Sequence, residues 1–296
     1  MYEDYVLGID IGGSSVKCGY VSRSGEIFKK SSFLTAGLTD IAVFMEKLNS
    51  IIVPALDDGI TQIGISCLGI FDASSKCIGG VENLPFLDGV NLAYEIASLH
   101  EGVSVHIMND GNAAALGEYW MGEGMACPCF LCITLGTGIG SCIVLDGKPL
   151  LGSHFQSGEI GYSDYSSEAD YFECHYSTVR LLEKAAILLG HDILDGMSFV
   201  KLVQEKNELC VKLFNEWLEG LSRIIANAIL LIDPEKVIIG GGISAQKGWL
   251  CDALSEKVQL HLPESFQEKT SIVPARNGNE AALLGAASVF YTINIL

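Results

Sequence analysis

An apolar strand, a glycine turn and a second apolar strand occur twice in this sequence, and that repetition limits the possible folds more than any other feature. Residues 5–11 (YVLGIDI) run into Gly12-Gly13 and then into the alternating stretch 15–21 (SVKCGYV). Residues 130–134 (FLCIT) run into Gly136-Thr137-Gly138 and then into 139–145 (IGSCIVL). Each reads as a hairpin, because short β-branched runs separated by glycine pair most readily with each other. Met twice in one chain, the unit predicts a protein duplicated at the level of structure.

Strand and helix patterns alternate around these hairpins. Apolar residues recur at helical spacing over 39–52, with Thr39 or Asp40 as N-cap, and 60–68 returns to strand. A strand over 103–108 ends at Asn109-Asp110, and the alanine-rich stretch 112–119 begins a helix. An irregular polar stretch reaches about Tyr171, followed by helices over 177–189, 198–206 and 209–231, a strand over 236–239, Gly240-Gly241-Gly242, and a last helix over 279–290. The class is α/β. No linker is rich enough in Pro or Ser to act as a tether, so two abutting lobes with a cleft are expected.

The chain has 296 residues, 49% hydrophobic and 18% charged, which excludes disorder and provides for a large core. With 18 Lys and Arg against 36 Asp and Glu, the net charge of −18 argues against nucleic-acid or anionic-membrane partners. No apolar run reaches the roughly 18–20 residues of a membrane span, and the acidic start Tyr2-Glu3-Asp4 lacks the basic head of a signal peptide, so a cytoplasmic location is expected. The ten cysteines then read as reduced core residues. Cys127, Cys129 and Cys132 invite a metal reading, but strand alternation sends Cys129 and Cys132 to opposite faces.

Three glycine turns follow apolar strands: Asp10-Ile-Gly12-Gly13-Ser14-Ser-Val-Lys17, Thr134-Leu-Gly136-Thr137-Gly138, and Gly240-Gly241-Gly242. Glycine lets the backbone approach an anion and aim several N–H groups at it, which suits phosphate. Neither the Rossmann nor the Walker spacing is present, which disfavours a dehydrogenase and a P-loop ATPase. Asp10, at a strand end before such a turn, suits Mg²⁺ held directly or through water, or simply stabilises the turn. Lys17 serves phosphate or lies exposed. Asp110, at the end of a strand, either accepts a proton from a substrate hydroxyl or caps the helix that follows. Glu159 and Asn83 are loop polar groups able to bind hydroxyls.

Seven segments in order, LGIDIGGSSVKCGYV, GISCLGIFD, ENLPF, NDGNAAALGE, ITLGTGIG, SGEIGY and IDPEKVIIGGGIS, resemble those of the ROK family of sugar kinases and repressors. The resemblance spans nearly the whole chain. It implies a two-lobed, actin-like (ribonuclease H-like) ATPase fold with duplicated mixed sheets about a central cleft. The first lobe would span residues 1–115, the second 116–279, with a helix over about 280–296 returning to the first. It further implies ATP with Mg²⁺, and Asp110 as the base that deprotonates the sugar hydroxyl. Asn83, Asn109 and Glu159 would bind other hydroxyls. Gly12, Gly13, Thr137 and Gly138 would hold phosphates, within turns that include Ser14, Thr134 and Gly136, and Gly241 and Gly242 would face adenosine. Glu173, four residues before Ser177, matches a glutamate that contacts the sugar, and a homodimer is expected.

The departures are informative. Tyr162 stands where the family carries a histidine, and between Ser163 and His175 only Cys174 supplies a thiol, so structural zinc is not expected. A tyrosine there can donate one hydrogen bond and stack on a sugar face, which puts the usual glucose specificity in doubt. Only nine residues precede Asp10, which with the acidic charge argues against a DNA-binding repressor. The reading is an ATP-dependent kinase of a hexose or N-acylhexosamine at C6, with glucose, N-acetylmannosamine or a β-glucoside as substrate. Its rivals are a catalytically silent sugar sensor and a polymerising actin relative.

Overall fold

The opening hairpin forms as its alternation predicts. β1 (Val6–Ile11) pairs antiparallel with β2 (Ser15–Val21), with Asp10 opposite Lys17. The structure, a computed structural model, describes residues 2, 4–71, 77–81, 83–190, 192–245 and 248–292. On its other side β1 runs parallel to β4 (Gln62–Cys67), which runs parallel to β7 (Ser104–Asn109). β3 (Ile27–Leu34) completes the order β3-β2-β1-β4-β7. A small ribbon, β5 (Ile70–Phe71) with β6 (Ile78–Gly79), follows β4.

The second hairpin repeats this topology. β8 (Cys129–Leu135) pairs antiparallel with β9 (Ile139–Leu145) and parallel with β11 (Lys236–Gly240), which runs parallel to β12 (Ser271–Pro274). Both sheets are therefore mixed in the same way, one antiparallel hairpin followed by parallel strands, and the expected duplication is present. β10 (Lys148–Pro149), a two-residue strand, completes the order β10-β9-β8-β11-β12.

By contacts, one compact unit holds Met1–Met125, Lys148–Ser157 and Glu280–Leu296, and the other holds Ala126–Gly147 and Gly158–Asn279. The first boundary lies beyond residue 115 because α3 (Asp110–Met121) runs unbroken past it and is closed by Glu118, which is fully buried and accepts from the Glu123 N–H at 2.9 Å. α1 (Ile41–Asp57) starts at an Asp40 cap whose carboxylate accepts from Ala42 N–H at 2.6 Å. It continues past Pro54 because Phe44, Leu48, Ile52 and Ala55 form one buried stripe, whose packing outweighs the hydrogen bond lost at proline. α2 (Leu92–Leu99) is capped by Asn91.

In the second unit α4 (Phe172–Tyr176), α5 (Thr178–Leu189), α6 (Gly196–Gln204), α7 (Glu208–Ile232) and α8 (Trp249–His261) surround the sheet. Phe172, Phe199, Trp217, Ile225, Leu254 and Val258 form its core with β8 and β11. No helix among the described residues is long and apolar enough to cross a membrane. All ten cysteines are free thiols, and Cys127 Sγ donates to the carbonyl of Cys129 at 3.4 Å.

α9 (Ala281–Ser288) belongs to the first unit and packs along α3 and onto β1 and β4. Three glycines make that approach possible. A Cβ at Gly285 would overlap the Ala113 carbonyl oxygen, one at Gly117 the Ala281 carbonyl oxygen, and one at Gly64 the Ala286 carbonyl oxygen. The helices thus touch backbone to backbone, and this seam holds the helix that carries Asp110.

Candidate active site

Three neighbouring parallel strands of the first unit, β1, β4 and β7, end side by side, and the sequence's candidates gather in the loops that leave them. In open α/β sheets this edge is where ligands bind, because strand ends and helix N-termini converge there. After β1 the turn is closed by the Gly12 N–H on the Ser15 carbonyl at 3.0 Å. Thr35, 2% exposed, pins it from the side: its hydroxyl donates to the Gly13 carbonyl at 2.7 Å and its N–H to the Ser14 carbonyl at 3.1 Å. Asn83 lies over the turn, with its amide nitrogen 2.9 Å from where a Gly13 Cβ would stand, so a side chain at Gly13 would push the Asn83 amide aside.

Asp10 faces Lys17 across the hairpin and Ser66 on β4, whose hydroxyl donates to Asp10 Oδ1 at 2.9 Å. Burial raises the Asp10 pKa, against the Ser66 hydrogen bond and the Lys17 charge, which lower it. Lys17 itself is exposed.

The start of α3 separates two roles that the sequence left open. Asn109 is the N-cap: its Oδ1 accepts from Gly111 N–H at 2.8 Å and Asn112 N–H at 3.1 Å, while its Nδ2 donates to the Gly69 carbonyl at 3.0 Å. Asp110 is therefore the first helical residue, not the cap, and its Oδ1 accepts from Gly111 N–H at 2.9 Å. The fully buried Cys67 thiol is pushed up by burial and by the nearby Asp110 and Asp10 charges, which places both carboxylates at one strand end.

In the second unit the ends of β8 and β11 are adjacent, with Thr134 paired to Gly240. The turn after β8 is closed by Gly136 N–H on the Gly138 carbonyl at 3.0 Å, and Thr137 is exposed at its tip. Gly241 has φ +96°, and a Cβ there would overlap the Leu135 carbonyl oxygen, so the third glycine turn presses directly on the second. Gly242 opens a single 3₁₀ turn beyond it.

Glu173 on α4 accepts from the Ile139 N–H at 2.5 Å. Its Oε2 lies 2.5 Å from a Gly138 Cβ position and 3.1 Å from that of Gly161. One carboxylate thus anchors the Gly136–Gly138 turn and lies against the loop that carries Glu159 and Tyr162. Glu159 is half-buried and precedes the 3₁₀ turn Ile160–Tyr162; its charge adds to burial in raising the Cys142 thiol. Ser141 fixes that loop, donating to the Gly158 carbonyl at 2.5 Å and accepting from Ile160 N–H at 3.1 Å. Tyr162 is exposed and stacks on Tyr171 with ring centroids 5.0 Å apart.

Thr35, Ser66 and Ser141 are supporting residues that sequence reasoning missed. Ser66 lies within the GISCLGIFD segment but is one hydroxyl in an apolar strand, and Thr35 and Ser141 stand outside the quoted segments, so nothing local marked their supporting roles. Asp72 and Glu82 of the segments that carry the resemblance lie outside the described residues. The chemistry at Asp10 suits a hard divalent cation: it supplies carboxylate oxygens beside a backbone turn. Among the described residues no group of three or more His, Cys, Asp and Glu is placed to hold a metal by itself.

A family model described as the ROK family matches residues 6–293. The β-glucoside kinase of Listeria innocua is 30% identical over 295 residues, covering 96% of this chain and 97% of that protein. The glucokinase of Thermotoga maritima is 27% identical over 309 residues, covering 96% of each chain. Among solved structures, a ROK family glucokinase from Streptomyces griseus in complex with glucose and AMPPNP superimposes with a TM-score of 0.83 at 24% identity, covering 96% of this chain and 98% of that one.

Proposed function

Because this chain belongs to the ROK family, we propose that it transfers the γ-phosphoryl group of ATP to a hydroxyl of a hexose or N-acylhexosamine, at C6. That it is a sugar kinase rests on full-length relatives named for that activity. The observation that carries the reading is the division of labour at α3. Asn109 provides the N-cap, so the Asp110 carboxylate is not the cap and stands in the first turn of the helix, where negative charge is favoured.

Phosphoryl transfer needs little covalent help from the protein and much positioning. Asp110 orients the attacking hydroxyl and takes its proton, and Asn83 and Glu159 hold other hydroxyls so that the attacking oxygen stays in line. The Gly12–Ser14 and Gly136–Gly138 turns direct backbone N–H groups at phosphate oxygens, and Gly241 and Gly242 face adenosine. Asp10 would hold Mg²⁺, directly or through water, and the ion would supply positive charge at the phosphates. Glu173 holds the second turn through Ile139 and brings its carboxylate to the sugar loop.

An assay coupled to ADP release, run over glucose, N-acetylmannosamine and a β-glucoside, tests the reading; a silent sensor binds without turnover, and a scaffolding relative binds no sugar. Two variants sharpen it. Glu159→Gln should lower kcat/KM by roughly ten- to a hundredfold, the cost of one hydroxyl partner lost in a desolvated site. Tyr162→His should shift the ratio of kcat/KM between glucose and the other sugars while turnover persists. A ratio that stays fixed as overall activity falls would remove Tyr162 from specificity.

A further inference from the structure

The helix that carries Glu173 is held from outside itself. At five residues α4 is too short to persist on its own hydrogen bonds, because a helix of that length does not repay its nucleation. Its last carbonyls also have no partner within the helix. The one at Tyr176 is met from α7: the indole N–H of Trp217 donates to it at 2.6 Å, and Trp217 is 3% exposed, so the bond is made inside the core. Three residues further along α7, Gly220 presents bare backbone to the Tyr176 ring, and a Cβ there would overlap that ring. The same ring stacks on the buried Phe172 with centroids 4.7 Å apart. The remaining side-chain tie at this end, His175 on Asp170, joins two groups that are half exposed and contributes little by comparison.

From the helix anchored in this way, two bonds reach the turn after β8. The Glu173 carboxylate accepts the Ile139 N–H at 2.5 Å, with Oε2 against Gly138 and Gly161. The Glu173 carbonyl accepts the Ser177 N–H at 3.1 Å, which joins α4 to the start of α5, and there the Val179 N–H donates to the Gly136 carbonyl at 3.3 Å. A displacement of α4 would therefore move the turn and the Glu159 loop together. Transfer between two bound substrates loses rate steeply with small misplacements, so the residue that holds α4 bears on the reaction without touching it.

We infer that Trp217 is a positioning residue: by its bond to the Tyr176 carbonyl it fixes α4, and so sets where the Glu173 carboxylate meets the Gly136–Gly138 turn and the loop that carries Glu159. This rests on the sugar-kinase reading above. Gly220 is the second half of the device, since only a residue without a side chain lets the Tyr176 ring seat against α7.

Trp217→Phe keeps an aromatic ring in the core and removes the donor. It should lower kcat/KM for ATP about five- to tenfold, the cost of one buried hydrogen bond. In a Glu173→Ala background the same substitution should cost less than about twofold more, because the carboxylate it positions is gone. Gly220→Ala, which favours its own helix and displaces only the Tyr176 ring, should give the same pattern. Losses of equal size in both backgrounds, or no loss in the first, overturn the assignment, since a purely structural role adds independently of Glu173. Amide hydrogen exchange separates this inference from the kinase reading. The Ile139 N–H, held by Glu173, should exchange about fivefold or more faster in Trp217→Phe than in the parent, while the Val237 N–H of the central strand β11 stays within about twofold. If the parent phosphorylates no sugar, that contrast still supports Trp217, and equal acceleration of both amides, or of neither, rejects it.

Discussion

Asp110→Asn should lower kcat by at least about a hundredfold while sugar and nucleotide affinities stay near those of the parent. The amide is isosteric with the carboxylate and can still accept the Gly111 N–H, so the local backbone keeps its bond. The cap of α3 is untouched because Asn109 provides it. What the variant loses is the ability to take a proton. Calorimetric Kd values measured beside turnover separate this from a folding defect, and near-normal kcat would exclude Asp110 as the base.

The second large effect is on stability. Gly285→Val should lower the melting temperature by roughly 5 °C or more, because its Cβ falls on the Ala113 carbonyl oxygen and neither partner is a side chain that can swing aside. Overpacking against a flexible side chain costs about 1–3 kcal/mol, and backbone on both sides puts this position at or beyond the upper end of that range. Gly196→Ala is the control: nothing lies within 4 Å of the added methyl, and its melting temperature should match the parent or exceed it. Gly285→Val melting within a degree of the parent would mean that the seam gives way without cost.

The hairpins and turns were legible because their signals are local: alternation, glycine and a boundary residue suffice for β1, β2, β8 and β9. Other elements gave no such signal. β3 reads Ile-Phe-Lys-Lys-Ser-Ser-Phe-Leu, with six of its eight residues exposed, so no alternation marks it; it forms because β2 offers an open edge. β12 is four residues long, below the reach of any periodicity, and exists because β11 needs a parallel neighbour. α8 did carry a legible stripe, Leu250, Leu254 and Val258 at i, i+4 and i+8, and should have been found. At the candidate site the residues were readable but their duties were not. Whether Asn109 or Asp110 caps α3 depends on backbone angles at one peptide, and the role of Glu173 in holding the Ile139 N–H joins residues 34 apart in sequence.

Because α9 is synthesised after the entire second unit, the first unit waits for its last element. At about 5–20 residues per second, the segment between Met125 and Glu280 takes roughly 8–30 s to make. Through that interval Gly64 and Gly117 stay uncovered, and the helix that bears Asp110 lacks the neighbour it packs along most extensively, keeping its contacts with β4, β7 and β10. The usual order of domain maturation is thereby reversed: the second unit completes its core while the first is still open to proteases and chaperones. Ribosome-bound chains stalled with Asn279 just outside the exit tunnel should show 158–279 protected from limited proteolysis and 1–125 cut, and protection of both segments would mean that the first unit closes without α9.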